Sequence, residues 1–155
     1  MTGPGPGPAS SLVRHASAVA LGAVRDRAGF GVLIEGPSGC GKSALALQLI
    51  GLGARLVADD RTRIVDRDGW PWLVAPERLR GVIEARGVGL IKLAHDAAVP
   101  LRLIVDMGAT ETARLPEPAT GEVLGQDIRR IQRVDGPHFA GSIVALSEGG
   151  WWHDE

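Results

Sequence analysis

The octapeptide Gly36-Pro37-Ser38-Gly39-Cys40-Gly41-Lys42-Ser43 has the GxxxxGK[ST] form. Its neighbours supply the context that the motif requires, because the apolar run Gly31 to Ile34 before it and Ala44 to Ile50 after it read as strand, glycine loop and helix. Glycines let backbone N–H groups close around phosphate oxygens. A helix starting near Lys42 turns its free N–H groups and the positive end of its dipole on the same anion. Lys42 is placed to reach the β and γ phosphates of a nucleotide, and the Ser43 hydroxyl to ligate magnesium. These residues predict a site for a nucleotide or another polyphosphate; a glycine-rich β–α turn without a ligand is the competing reading.

A phosphate loop holds a phosphoryl donor without choosing the acceptor, so acids and bases elsewhere must complete the chemistry. Asp59-Asp60 closes the short apolar stretch Leu56-Val57-Ala58, and a carboxylate at the end of a buried strand is where such proteins hold magnesium, directly or through water. Two in succession can divide metal holding and proton transfer between them. Adjacent strand residues face opposite sides, so both reach one ligand only if the strand ends at Asp59; otherwise the pair is a solvated turn. Glu84, within Glu84-Ala85-Arg86-Gly87-Val88-Gly89, is either a second magnesium contact beside Ser43 or a surface charge. His15 lies in a strand of small residues and is a packing residue unless it sits near the phosphates. Cys40, beside a helix N-terminus, is an oxidisable thiol or simply a small side chain.

The elements that must position these groups follow from pattern. Met1 to Pro8 carries Gly-Pro repeats and predicts a disordered tail over residues 1–10, with one domain over 11–150. Leu12 to Leu21 reads as a strand that turns through Arg25 to Gly29 and pairs with Gly31 to Glu35 as a hairpin. Apolar residues at 45, 46, 49, 50 and 52 mark a helix that Gly51 and Gly53 end. Asp68-Gly69 is a hairpin turn between Arg61 to Asp66 and Trp70 to Val74, and Pro71 predicts an edge position for the second strand. Glu77 to Leu93, punctuated by Gly81, Gly87 and Gly89, reads as a site-forming loop. Leu101 to Met107 is a central strand, Thr110 to Gln126 a turn-rich surface excursion, and Gly141 to Leu146 either strand or helix. The whole is an α/β domain with a mixed central sheet and the P-loop between a strand and a helix.

With 155 residues the chain can bury about two thirds of its unfolded surface, enough for a core. A net charge of −1, from 17 basic and 18 acidic residues, creates no global field for nucleic acid or an anionic membrane. One cysteine excludes an internal disulfide and a cysteine-based zinc site. No apolar run reaches the roughly 18 residues of a membrane span, and no leader pattern is visible, so a cytoplasmic protein is expected.

Taken together the motifs resemble the catalytic domain of HPr kinase/phosphorylase. Gly36 to Ser43 matches its GxSGxGKS loop, Arg55 to Asp60 is similar to its RLVADD segment, and Ile83 to Ile91 is similar to its IEIRGxGII signature, with His15 at the start of the matching span. The resemblance covers roughly residues 12–107 and is to the short form without an N-terminal domain. It implies a core of the HPr kinase and phosphoenolpyruvate carboxykinase type. It also implies an ATP- and Mg2+-dependent kinase acting on a serine of HPr, the small phosphocarrier of the sugar phosphotransferase system. By motif, Lys42 and the loop hold phosphates, Ser43 and Glu84 hold magnesium, Asp60 handles the serine proton, Asp59 supports it, and His15 lines the site. The family's Pro-x-Arg-Pro-Gly-Arg loop has no clear counterpart; Ile131 to Pro137 stands in that region. That departure puts the reverse step, phosphorolysis of phosphoserine, and the usual oligomeric contacts in doubt, while a homo-oligomer stays open. Two rivals remain: a small-molecule kinase on the same core, and a nucleotide-sensing module that signals without turnover.

Overall fold

The computed structural model describes residues 11–22 and 28–152. The Gly-Pro tail and most of the Arg25 to Gly29 turn lie outside the described residues. In chain order the elements are β1 (Ser11–Arg14), β2 (Ala16–Leu21), β3 (Phe30–Glu35), α1 (Lys42–Gly51), β4 (Arg55–Ala58), β5 (Thr62–Arg67), β6 (Trp70–Val74), β7 (Val82–Ala85), β8 (Gly89–Lys92), β9 (Ala98–Thr110), β10 (Ala119–Val123), β11 (Gln126–Arg133) and α2 (Phe139–Gly149).

β9 is the axis of a mixed sheet ordered β1-β5-β6-β9-β3-β2-β4, with β11 and β10 branching from it. Its first residues, Ala98 to Pro100, pair antiparallel with β6. Beyond them Leu101 to Asp106 runs parallel to β3, and Leu103 to Asp106 runs parallel to β11. A strand covered on both faces reads as an apolar run, which is why Leu101 to Met107 is legible as central. β2 and β3 form the expected antiparallel pair, from Ala16 opposite Glu35 to Leu21 opposite Phe30.

Strand alternation sends successive residues into two cores. Val19, Val32, Ile34 and Leu103 meet Leu45, Leu49, Phe139 and Ile143 of the helices. Ala16, Ala18, Ala20, Leu33 and Ile104 instead meet Ile64, Leu73 and Leu101. The alanine face of β2 is what lets β5 and β6 fold closely over the side of the sheet opposite the helices. Among the described residues no helix is long and apolar enough to cross a membrane.

Three segments differ from the pattern reading, and a fourth, left open between strand and helix, is settled. β6 is interior, not an edge strand: it pairs with β5 along its length and with β9 from Trp72 onward. Pro71 is tolerated because the β6–β9 ladder stops at Trp72, and the Leu101 carbonyl accepts the Trp70 indole N–H at 2.9 Å. The 77–93 segment contains the β7–β8 hairpin rather than an irregular loop. The excursion after Thr110 ends in β10, which Leu124 and Gly125, both with positive φ, turn back into β11. Residues 141–146 belong to α2, whose buried Phe139, Ala140, Ile143 and Ser147 have helical spacing. The Asp68-Gly69 turn forms as expected, with φ of 53° and 83° as a two-residue hairpin requires.

Candidate functional site

Three parallel strands, β3, β9 and β11, end on the same side, and the glycine loop leaves β3 there to start α1 at Lys42. Gly36, Gly39 and Gly41 all have positive φ, a backbone that side chains resist. Gly36 is constrained by space as well, since a Cβ there would lie 2.7 Å from Cys40 Sγ and 3.1 Å from the Gly108 nitrogen. The Lys42 side chain, only 8% exposed, turns into the loop and donates to the carbonyls of Gly36 at 2.7 Å and Pro37 at 3.0 Å. α1 begins on Gly41 with no side-chain cap and no acidic residue in its first turn. Its leading N–H groups and the ammonium therefore form a positive pole with nothing of opposite charge supplied by the helix itself.

Asp59 joins three elements. Its Oδ1 accepts from Ser43 Oγ of α1 at 2.7 Å and from Ser17 Oγ of β2 at 2.9 Å, while its Oδ2 accepts the backbone N–H of Glu84 on β7 at 3.2 Å. The predicted magnesium contacts, Ser43 and Glu84, are thus brought to opposite oxygens of one carboxylate. Glu84 itself is exposed. β4 stops at Ala58, so the aspartates are released from strand alternation. Asp60 has φ of 70°, and Arg61 N–H donates to the Asp59 carbonyl at 2.8 Å across it, which makes a γ-turn. The turn gives the two carboxylates different partners, since Asp60 Oδ1 lies 3.2 Å from His15 Nε2. His15 is exposed in the break between β1 and β2, with Asp60 as its partner.

The β7–β8 hairpin is pinned at its base. Leu93 N–H donates to the Gly81 carbonyl at 2.7 Å, and Ile83 is fully buried in the core beside α1. Among the described residues no three His, Cys, Asp or Glu side chains converge as a metal site. The oxygen set here is a hydroxyl with carboxylates, the hard donors that magnesium takes while keeping several waters.

Three features were not singled out from the sequence. Ser17 is fully buried, and its hydroxyl also accepts the Asp60 N–H at 3.3 Å; a lone polar residue inside an apolar strand was its available signal. Glu35, at the end of β3, and Asp106, within β9, are register partners, and each carboxylate holds an arginine: Arg14 at 3.1 Å and Arg130 at 2.6 Å. In the region of the absent arginine loop, Arg133 donates to the Met107 carbonyl at 3.2 Å and to Thr110 Oγ1 at 2.6 Å.

Comparison with known proteins places these residues in a family context. The model described as "HPr Serine kinase C-terminal domain" matches residues 15–97, more than half of the chain. The chain is 51% identical over 71 residues to the HPr kinase/phosphorylase of Lactococcus lactis subsp. lactis, covering 45% of this chain and 23% of that protein. It is 39% identical over 144 residues to the HPr kinase/phosphorylase of an Acidovorax species, covering 80% of this chain and 44% of that protein. The chain therefore spans less than half the length of these curated relatives. The structure of the Hpr(Ser) kinase/phosphatase from Coxiella burnetii superimposes with a TM-score of 0.69 at 24% identity, over 87% of each chain, and is a likeness of fold.

Proposed function

Because this chain belongs to the HPr serine kinase C-terminal domain family, we propose that it transfers the γ-phosphoryl group of ATP to a serine hydroxyl of an HPr-type phosphocarrier protein. Residues 11–150 form the catalytic unit, and Gly36 to Ser43 is its P-loop. The observation that carries the reading is the Asp59 carboxylate, which accepts from Ser43 of the loop on one oxygen and from Glu84 N–H of the hairpin on the other. That single group ties together all three motifs a phosphoryl-transfer site needs.

The donor set fits magnesium and a polyphosphate. Ser43 Oγ and the Glu84 carboxylate would hold the metal, with Asp59 behind Ser43. Magnesium supplies charge neutralisation on the phosphate oxygens when bound. Lys42 would exchange its two carbonyl partners for β and γ phosphate oxygens, and the first turn of α1 would bind the same anion through its backbone. Asp60 would take the proton from the attacking serine hydroxyl, as a carboxylate within hydrogen-bond reach of it can. His15, 3.2 Å from Asp60, would orient that carboxylate toward the acceptor. Most of the rate then comes from in-line positioning, as is general for phosphoryl transfer. Phosphorolysis stays outside the proposal, since Arg133 is committed to Met107 and Thr110.

The test incubates the protein with magnesium, γ-labelled ATP and a purified HPr-type phosphocarrier and locates the label by mass spectrometry. Label on a serine, absent with Lys42→Ala, is the expected result. No label, with ATP binding measured separately, would remove HPr as acceptor and move the weight to a small-molecule acceptor or to a nucleotide sensor.

A further inference from the structure

We infer that Ser17 positions both aspartates and is as much a part of the site as the motif residues, an inference that rests on the reading of Asp60 as proton acceptor. Asp60 occupies the centre of a γ-turn with positive φ, the rare and strained hand of that turn, and it is not a glycine. Such a conformation persists only where its surroundings over-determine it. Two residues, His15 and Ser17, supply those surroundings. His15 Nε2 faces Asp60 Oδ1 at 3.2 Å, and Ser17 bonds both aspartates.

Ser17 uses both capacities of its hydroxyl, giving its proton to Asp59 Oδ1 at 2.9 Å and accepting the Asp60 N–H at 3.3 Å. Its side chain is fully buried, and removing the hydroxyl takes one donor from Asp59 Oδ1 and the side-chain acceptor from the Asp60 N–H. Loss of the hydroxyl frees the Asp60 backbone to leave the strained turn and swings its carboxylate away from the acceptor. Thr62, equally buried, donates to the Ala16 carbonyl of β2 at 2.8 Å and bonds neither aspartate, so it serves as the control for a lost buried hydroxyl.

The experiment compares the full chain with Ser17→Ala, Ser17→Thr and Thr62→Val, measuring kcat and KM for ATP with HPr as acceptor, melting temperature, and hydrogen exchange of the Asp60 amide by NMR. Ser17→Ala is expected to lower kcat about 10- to 100-fold, the scale of a misplacement of about 1 Å, with KM for ATP within about twofold. The Asp60 amide should exchange faster in Ser17→Ala, and Ser17→Thr should restore both readouts. Thr62→Val should lower the melting temperature without a selective loss of kcat. An unchanged Asp60 exchange rate in Ser17→Ala, or failure of the threonine variant to restore it, overturns the assignment. If Ser17→Ala does not fold, Ser17→Cys decides, because a thiol is a weak donor and acceptor: intermediate kcat and exchange support the role, and wild-type values for both refute it. Absence of transfer by the wild-type protein would sink the kinase reading alone, leaving amide exchange to decide whether Ser17 holds the turn.

Discussion

Asp59 and Asp60 are neighbours in sequence with different partners in space, and their substitutions should separate accordingly. Asp60 makes no contact with Ser43, so Asp60→Asn should lower turnover by about 10²- to 10⁴-fold, the usual scale for general-base loss, while leaving ATP affinity within a few fold in calorimetry. Asp59→Asn replaces one carboxylate oxygen with an amide donor facing Ser17 and Ser43 hydroxyls or the Glu84 N–H. That variant should therefore weaken magnesium affinity and turnover together, read as a higher magnesium concentration for half-maximal rate. Lys42 and Ser43 stood out as candidates through the motif spacing and Asp59-Asp60 through the end of an apolar strand, whereas Glu84 and His15 rested on the family resemblance. Ser17 was not legible, since its partners are set by how β2 lies against β4, where a register shift falls between Ala18 and Val19. No pattern in the chain announces that shift.

At the scale of elements, the β7–β8 hairpin delivers Glu84, and Gly81 sets its angle. Gly81 has φ of 75°, and a Cβ there would lie 2.6 Å from His95 Nδ1 and 2.7 Å from the Leu93 carbonyl oxygen. Gly81→Ala should tilt the hairpin, lower the melting temperature by several degrees and reduce turnover, while nucleotide binding by the loop survives. Comparing kcat with ATP affinity checks it. The glycines at 81, 87 and 89 correctly marked a departure from helix, but the β ribbon stayed hidden because β8 is largely exposed and lacks a clean apolar alternation. β6 was misplaced at the edge for the opposite reason. Proline reports a missing N–H, yet the strand beside it ends its ladder one residue earlier and a tryptophan side chain answers the orphaned carbonyl. Trp70→Phe should leave the Leu101 carbonyl without that donor and cost about 1 kcal/mol in urea unfolding.

Across the molecule, β9 is shared by both cores, with Leu103 against the helices and Leu101 against β5 and β6. Leu101→Ala and Leu103→Ala should each destabilise by about 2–5 kcal/mol. Tryptophan fluorescence and far-ultraviolet circular dichroism should then follow the same unfolding curve, as in a two-state domain. The apolar run made β9 legible as a central strand, whereas its division between β6 and β11 depends on long-range pairings that no local period encodes. The same sharing has a consequence for how the protein is made. β3 emerges from the ribosome 63 residues before β9 begins, from Glu35 to Ala98, an interval of about 3–13 s at ordinary synthesis rates. Throughout that time β3 has β2 on one edge and nothing on the other, so a nascent chain stopped at residue 97, where the family match ends, would carry every motif residue and still lack the strand that makes them a site.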